Sequence, residues 1–258
     1  MTRLGCLAND FWLALAYFSR LPVPSGTVYS PEAQQRAIGY FSLIGWLLGG
    51  IQALALWGAC QIWPQPVAVL LAMVLGLLLT GALHEDGLSD MCDGLGGGLD
   101  PASKLAIMKD SRLGTYGALA LVTSLLLKAG LLVSLAAPWW ALLLAQPLSR
   151  VLAGSLMFVL PYVRVESAKA GAVVGKSSRW QRLGLWAGGA LALWLLPWPL
   201  ALACILLLGL LFVWLVRFFT RHLGGYTGDC LGGAQQLAEL LIYLLLATQL
   251  PGGVTWPM

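Results

Sequence analysis

Long apolar runs, separated by short stretches that contain polar residues, glycine or proline, occupy most of the chain. A helix that spans a bilayer needs about 20 consecutive, mainly apolar residues. Apolar runs that approach or exceed this length lie at 39–63, 66–84, 115–137, 138–161, 183–198, 199–217 and 233–250. The connection between the fifth run and the sixth is very tight and contains Pro197, Trp198 and Pro199. The pattern predicts an all-α, polytopic membrane helical bundle with about seven transmembrane helices.

The first 24 residues predict a separate, short helix near residues 8–19. Its apolar stretch is broken by Asp10 and Arg20, and it lacks the small-residue cleavage site of a signal peptide. An amphipathic or re-entrant helix accounts better for this pattern. Together with the seven apolar runs, it is expected to form a single integral membrane domain, residues 1–258.

The composition supports a membrane location. Hydrophobic residues make up 59% of the 258 residues and charged residues only 10%, with a mean hydropathy of +0.81, which is too apolar for an ordinary soluble domain. The net charge of +4 comes without interleaved aromatic and basic residues, so nucleic acid is not an expected partner. The cysteines show no metal-ligand spacing and are expected to be reduced packing residues: Cys6, Cys60, Cys92, Cys204 and Cys230.

The charges of the predicted loops fall on one side of the membrane. The connections after the first, third and fifth runs, and the tail beyond residue 250, contain no charged residue. The opposite side carries the basic residues Arg3, Arg20, Arg36, Lys104, Lys109, Arg112, Arg164, Lys169, Lys176, Arg179, Arg182, Arg217 and Arg221. Because positive loops are retained in the cytoplasm, the N-terminus is expected inside and the C-terminus outside.

Carboxylates gather at the cytoplasmic end of the second run, in LHEDGLSDMCDGLGGG at 83–98. Asp86, Asp90 and Asp93 are spaced i, i+4, i+7, which places them on one face of a helix. Such like charges repel, and a set of carboxylate oxygens suits Mg²⁺ or Mn²⁺. A solvated acidic helix end is the alternative, but six of the eleven acidic residues fall between 85 and 110, which favours a metal site.

Two neighbours of the aspartates are candidates for acid–base chemistry. His84 precedes them, and Glu85 points about 100° away from their stripe on an ideal helix. The glycines that follow are expected to end the helix in a loop whose backbone can approach a phosphate: Gly94, Gly96, Gly97 and Gly98.

A short cytoplasmic helix is predicted next, with Asp100 as its N-cap, Pro101 at its first position and Gly114 as its stop. Lys109 and Arg112 lie three residues apart, where they could cradle a pyrophosphate, with Asp110 nearby as a further candidate metal ligand. An ordinary juxtamembrane basic segment is the alternative. The active-site segment is therefore expected at about 84–114.

Two cations, Lys128 and Arg150, lie inside predicted spans. Charges within a membrane usually face the bundle interior and have a partner, so carboxylates or substrate phosphates are expected next to them. Glu239 lies in the last run, where a salt bridge to Arg150 or Lys128 is its structural explanation. Asp229 repeats the combination of an acidic residue with glycines in GGYTGDCLGG.

Residues 80–98, TGALHEDGLSDMCDGLGGG, followed by 104–117, KLAIMKDSRLGTYG, resemble the cobalamin synthase family, adenosylcobinamide-GDP ribazoletransferase. The resemblance extends along nearly the whole chain through FSRLPVP at 18–24, Lys128, Ser149, Arg150 and GGYTGD at 224–229. The chain departs from the family pattern at Glu85, where the family has Leu or Phe before the Asp-Gly pair.

The resemblance implies a late step of vitamin B12 biosynthesis at the cytoplasmic (inner) membrane. Adenosylcobinamide-GDP and α-ribazole, or its 5′-phosphate, would give adenosylcobalamin, or its 5′-phosphate, and GMP. It also implies a requirement for Mg²⁺. The bilayer, other B12 assembly enzymes and a second copy of the chain are candidate partners.

The residues and the resemblance together define roles in this reaction. The expected metal ligands are Asp86, Asp90, Asp93 and Asp110. Lys109 and Arg112 would neutralise charge on the leaving GMP. The proton of the ribazole 3′-hydroxyl would be accepted by His84, Glu85 or Asp229, and the sequence leaves this choice open. The expected phosphate-binding set is completed by Gly96, Gly97, Lys128, Arg150 and Lys176.

Two other functions are compatible with acidic residues at a membrane face. A phosphotransferase acting on CDP-activated alcohols also uses an aspartate cluster, but the chain lacks that family's Ala-Arg after Asp-Gly and its long aspartate spacing. A cation transporter would place charged residues along a pathway, whereas here the acidic residues crowd one face. The nucleotide requirement distinguishes the three functions. The CDP-alcohol phosphotransferase needs a CTP-derived donor, the cobalamin synthase needs a GDP-activated corrinoid, and the transporter needs no nucleotide.

Overall fold

The computed structural model describes residues 3–164 and 178–248. In these ranges the regular secondary structure is helical, apart from an isolated bridge between Tyr162 and Tyr226, which confirms the predicted all-α class. The α-helices are α1 (Arg3–Phe18), α2 (Pro31–Ala37), α3 (Phe41–Ala59), α4 (Gln65–Thr80), α5 (Leu83–Gly97), α6 (Pro101–Lys109), α7 (Thr115–Ser134), α8 (Pro138–Leu156), α9 (Arg179–Trp194), α10 (Trp198–Leu223) and α11 (Gly228–Leu246). A short 3₁₀ turn, Ile38–Tyr40, joins α2 to α3.

Several helices are apolar and long enough to cross a membrane. Within the described ranges these are Pro31–Ala59, which combines α2 with α3, then α7 and α10, with hydropathies of 1.5, 1.9 and 2.7. The bent pair α4 and α5 adds a fourth span if the two helices are taken together. The chain therefore has the helical spans of a membrane protein, although fewer meet this criterion than the seven apolar runs predicted.

The second predicted span breaks between α4 and α5. The aspartates would extend the second span if that helix continued into the acidic stretch, but α4 and α5 differ in direction by 84°. Gly81 and Ala82 both adopt left-handed backbone conformations, with φ of 64° and 56°, and a left-handed residue after the last turn ends a helix. A Cβ at Gly81 would also collide with Arg20 Nε. The turn therefore aims α5, with its carboxylates, away from the axis of α4.

Helices α5 and α11 cross at a pair of glycines. A Cβ added to Gly87 would lie 3.1 Å from the Cα of Gly232, and a Cβ on Gly232 would lie 3.1 Å from the Cα of Gly87. Small residues let helix backbones approach closely, as in membrane helix pairs. This crossing brings Asp229, at the start of α11, beside the acidic face of α5.

Helix α8 lies at the centre of the bundle, and most of its residues are buried. It packs closely on α3, because a Cβ at Gly45 would come within 2.7 Å of Pro147 and one at Gly49 within 2.9 Å of the Leu142 carbonyl. Arg150 of α8 is completely buried. The five cysteines, all in the described ranges, are free thiols, as predicted.

The N-terminal helix is longer than predicted and packs on the bundle. Helix α1 begins at Arg3 rather than near residue 8. Phe18 stacks on Phe41 of α3, with ring centroids 3.9 Å apart, and Asp10 forms an ion pair with Arg36 at 2.7 Å. These contacts attach α1 to the α2–α3 unit.

Candidate active site

Helix α5 separates the predicted site residues into two groups. Asp86 is exposed and Asp90 is partly exposed, whereas His84 and Glu85 are buried. We call Asp86, Asp90 and Asp229 the outer carboxylate patch. The inner polar cluster consists of His84, Glu85, Lys128, Gln146, Arg150, Gln235, Gln236, Glu239 and Tyr243.

The outer carboxylate patch joins two turns of α5 to the start of α11. Asp90 is within electrostatic range of Asp86 and Asp229, and Asp229 is within range of Asp86. Arg164 Nη2 forms an ion pair with Asp229 Oδ2 at 2.5 Å and donates to the Met108 carbonyl at 3.2 Å. Arg164 thus places a cation beside Asp229 and within electrostatic range of Asp90, a role that its position in a basic loop did not indicate.

Asp93 has partners that its position in the stripe did not predict. Its carboxylate accepts hydrogen bonds from the backbone N–H groups of Gly114 and Gly117, both at 2.8 Å. Gly114 is the N-cap residue of α7, so Asp93 satisfies N–H groups that the start of a helix leaves unpaired. Asp93 therefore anchors α7 to α5, and its two oxygens are already engaged.

The anchoring contact gives a first prediction. Replacing Asp93 with alanine is expected to lower the free energy of unfolding by about 1–3 kcal/mol, because two largely buried N–H groups lose their acceptors. Asp93→Asn retains one carbonyl oxygen and should lose less. Thermal unfolding of the purified variants in detergent measures the difference. Equal melting temperatures for wild type and Asp93→Ala would contradict the anchoring role.

Three of the four glycines after the aspartates lie inside a helix, so the predicted phosphate loop is wrong for Gly94, Gly96 and Gly97, whereas Gly98 follows the helix as its extended C-cap. Helix α5 continues to Gly97. A Cβ at Gly94 would collide with Met108, and one at Gly96 would lie 2.7 Å from the Tyr116 ring. These two glycines therefore serve close packing of α6 and α7 on α5, while Gly97 faces Ile107 at 3.4 Å.

Helix α6 begins as predicted, but it ends earlier. Asp100 and Ser103 form a capping box around the N-terminus, and the helix ends at Lys109, before the predicted stop at Gly114. Beyond it, Arg112 forms an exposed ion pair with Asp110 at 2.5 Å. This hydrogen-bonded guanidinium holds the pKa of Asp110 below its usual range. Asp110 thus has Arg112 as its immediate partner.

Lys128 is the central cation of the inner polar cluster. Its Nζ lies 3.2 Å from Glu239 Oε1 and 3.7 Å from Glu85 Oε1, and it donates to Gln236 Oε1 at 3.0 Å. The expected salt bridge of Glu239 is thereby confirmed, with Lys128 as its partner. This contact joins α7, α11 and α5 through buried charges.

Glu239 is held by three further donors. Tyr243 donates its hydroxyl hydrogen to Oε1 at 2.7 Å, and Gln146 Nε2 donates to the same oxygen at 3.0 Å. Gln235 Nε2 donates to Oε2 at 3.0 Å and also to Ser149 Oγ at 3.0 Å. Hydrogen bonds to a buried carboxylate compensate for its lost hydration, so the glutamines stabilise the charge.

Arg150 is only partly satisfied. Its Nη1 donates to the backbone and side-chain oxygens of Gln146, whereas Nε and Nη2 have no hydrogen-bond partner in the described part of the chain. The same holds for His84 Nε2 and Glu85 Oε2. Arg150, His84 and Glu85 line one cavity of about 20 Å³. A water needs roughly 10–15 Å³ of such space, so the cavity has room for a bridging water.

The charges of the inner polar cluster balance. By formal charge, the two buried cations Lys128 and Arg150 are matched by the two buried carboxylates Glu85 and Glu239. Buried charges are tolerated when they are paired and hydrogen-bonded. The cluster is therefore a neutral, buried network directly behind the outer carboxylate patch.

The carboxylates fit a magnesium ion by the chemistry of their donors. In the described ranges, no three His, Cys, Asp or Glu side chains converge closely enough to enclose a metal ion by themselves. Mg²⁺ commonly takes one or two carboxylates and completes its octahedron with waters and substrate phosphates. Asp86 and Asp90, one helical turn apart with oxygen donors at the surface, match this demand.

Glutamines are the main site residues that the sequence did not reveal. Gln235 and Gln236 lie in the apolar α11, and Gln146 lies in the buried α8. Polar residues within membrane helices are themselves a sign of a network. Their spacing from Glu239 and Arg150 was therefore an available signal. The predicted phosphate ligand Lys176 lies outside the described residues.

The fold and site define an all-helical membrane protein with carboxylates at one end of the bundle, above a buried ionic network. Residues 10–247 match the family model described as cobalamin-5-phosphate synthase. The chain belongs to this family.

Relatives support this assignment. The chain is 45% identical over 241 residues to the adenosylcobinamide-GDP ribazoletransferase of Vibrio parahaemolyticus serotype O3:K6, covering 92% of this chain and 91% of the relative. It is 44% identical over 248 residues to the enzyme of the same name from Shewanella frigidimarina, covering 92% and 94%. No solved structure matches the chain significantly.

Proposed function

We propose that the chain transfers the adenosylcobinamide phosphate group from adenosylcobinamide-GDP to α-ribazole, or to its 5′-phosphate, and releases GMP. Its family and the names of its relatives support this reaction over CDP-alcohol phosphotransfer and cation transport. The observation that carries the proposal is the outer carboxylate patch, which lies beside Arg164. Acidic and basic groups side by side suit a metal-bound pyrophosphate.

Asp86 and Asp90 are the proposed magnesium ligands. Bound there, Mg²⁺ would neutralise the charge of the substrate pyrophosphate, which is the main requirement of phosphoryl transfer. Asp93 and Asp110 were also predicted as ligands, but each would first have to give up its present partners. Arg164 is the proposed cation for the phosphate groups, joined by Lys109 and Arg112 from the adjoining segment.

Asp229 is the proposed proton acceptor. Of the three candidates, His84 and Glu85 face the inner cavity, whereas Asp229 belongs to the outer carboxylate patch. A general base must be within hydrogen-bond reach of the proton that it removes. The ribazole 3′-oxygen forms a bond to the cobinamide-side phosphorus while the bond to the GMP oxygen breaks. Asp229 takes the hydroxyl proton.

We further propose that the chain is one integral membrane domain with seven crossings, formed by α3, α4, α7, α8, α9, α10 and α11. The outer carboxylate patch and the N-terminus then face the cytoplasm, and the C-terminus faces outward. The basic ends of α9 and α10 support this orientation, since cationic residues are retained on the cytoplasmic side. The inner membrane is the proposed location.

A direct assay tests the reaction. Purified protein reconstituted into nanodiscs is expected to release GMP when it receives adenosylcobinamide-GDP and α-ribazole with Mg²⁺, and to form adenosylcobalamin in equal amount. EDTA should abolish release, because the carboxylates alone leave the pyrophosphate charge unneutralised. GMP release without α-ribazole, or none with both substrates and Mg²⁺, would contradict the proposed transfer.

A further inference from the structure

An apolar groove of about 400 Å³ opens between α8, α9 and α10, on the far side of α8 from the inner polar cluster. Its walls include Leu152 of α8, Leu193 of α9, and Ile205 and Phe212 of α10. The polar groups at the wall satisfy each other, because Trp186 Nε1 donates a hydrogen bond to Ser155 Oγ at 3.1 Å. The groove is therefore built for an apolar occupant.

The groove lies on an exposed, apolar surface of a candidate membrane span. Helix α10 has the highest hydropathy among the candidate spans of the described chain, yet only 17% of its apolar window is buried. Ile205 and Trp186, which both line the groove, are 51% and 48% exposed. In a bilayer this opening meets acyl chains instead of water. A hydrocarbon chain is thus the available material to fill it.

Two arginines lie beyond one end of the groove. Arg179, Arg182, Trp186, Ala190 and Leu193 follow spacings of three and four residues, so they lie along one stripe of α9. Arg179 and Arg182 are exposed. With a rise of about 1.5 Å per residue, Arg182 lies about 6 Å beyond Trp186 along the helix. An anionic group attached to a chain in the groove would reach these guanidinium groups.

We propose that the groove binds one acyl chain of an anionic phospholipid, whose phosphate group contacts Arg179 and Arg182. The apolar walls select a chain, and the arginines select an anionic headgroup. The chain packs against α8 at Leu152, half a turn beyond Arg150 of the inner polar cluster. A bound lipid therefore stabilises the helix that carries this buried cation.

Two glycines supply a matched pair of test variants. Gly209 lines the groove, and a Cβ added there meets no described atom within 4 Å. Gly209→Leu should occupy the groove without moving the backbone. Gly130 of α7 also has no described atom within 4 Å of an added Cβ, and it does not line the groove. Gly130→Leu is therefore the control for a leucine added to an apolar helix.

The experiment is native mass spectrometry of the purified protein, delipidated in detergent and titrated with phosphatidylglycerol or phosphatidylcholine. Wild type and Gly130→Leu are expected to retain one phosphatidylglycerol, and Gly209→Leu should bind it at least tenfold more weakly. The double variant Arg179→Gln, Arg182→Gln should lose the preference for phosphatidylglycerol and still melt like wild type without lipid. This variant leaves the groove intact, so it tests the headgroup contact if Gly209→Leu fails to fold.

Different results test the groove and the headgroup contact. Equal phosphatidylglycerol binding by wild type and Gly209→Leu would overturn the groove as the binding site. Equal binding of phosphatidylcholine and phosphatidylglycerol by wild type would overturn the headgroup assignment. The readout is lipid mass and not GMP, so it does not depend on the proposed reaction.

Discussion

Replacing Lys128 with methionine is expected to lower the free energy of unfolding by about 3–5 kcal/mol. Removing one partner of a buried ion pair leaves the other charge uncompensated, and that is the costly step. Here two carboxylates, Glu85 and Glu239, would lose the cation that lies 3.7 Å and 3.2 Å from them. Denaturant unfolding in detergent, followed by circular dichroism, measures the loss.

Glu239, the nearer carboxylate partner of Lys128, provides the control. Glu239→Gln alone should also destabilise, because the ion pairs of Lys128 would be reduced to the longer one, with Glu85 at 3.7 Å. Adding Glu239→Gln to Lys128→Met should recover part of the loss, since the double variant has one buried negative charge fewer. A double variant whose loss equals the sum of the single losses would contradict coupling between these residues.

The sequence predicted which charged residues within apolar runs need a partner of opposite charge. An isolated lysine in SLLLKAGLL must find an anion, and Glu239 was one of few available in an apolar run. The structure joins them. The supporting glutamines were not predicted, because an uncharged amide is a weaker signal than a charge in an apolar helix, although three of them converge on the charged residues.

Elsewhere, contacts between residues far apart in sequence override the local preferences from which structure was predicted. Glycine disfavours helix interiors, so the glycines after Asp93 predicted a loop. The side chains of Met108 and Tyr116 pack where a Cβ would stand on Gly94 or Gly96, and this packing outweighs the local preference. The i, i+4, i+7 stripe likewise predicted three equivalent aspartates, but Asp93 differs in accepting two hydrogen bonds from the start of α7.

The candidate site depends on the contact between α5 and α11, which lie far apart in sequence, so no short motif could predict it. Asp229 reaches Asp86 and Asp90 only because α11 crosses α5 at Gly87 and Gly232. The sequence showed Asp229 among glycines and left its partner open. The break at Gly81 was hidden for a similar reason, because a single glycine within an apolar run is compatible with a continuous helix.

Neutralising Asp90 or Asp86 as asparagine is expected to lower kcat about 100-fold or more, with little change in the free energy of unfolding. Both side chains are at least partly exposed and lie in a patch of like charge, so folding does not depend on their ionisation. Loss of an electrostatic group that acts on the transition state typically costs about 10²–10³ in kcat. GMP release by the reconstituted variants at saturating substrate measures kcat, and a Mg²⁺ titration measures the metal requirement.

Asp110→Asn is the matched control for these two substitutions. Asp110 is also a predicted ligand on the same segment, but its carboxylate is held by Arg112 in an exposed ion pair, and such pairs contribute little. Its kcat should stay within a few-fold of wild type, and its Mg²⁺ requirement should not change. Near-normal Mg²⁺-dependent turnover in Asp86→Asn and Asp90→Asn, together with a large loss in Asp110→Asn, would move the metal site from the outer carboxylate patch to the segment after α6. A loss confined to the α5 variants would support a metal site at Asp86 and Asp90, which lie one helical turn apart and are both at least partly exposed.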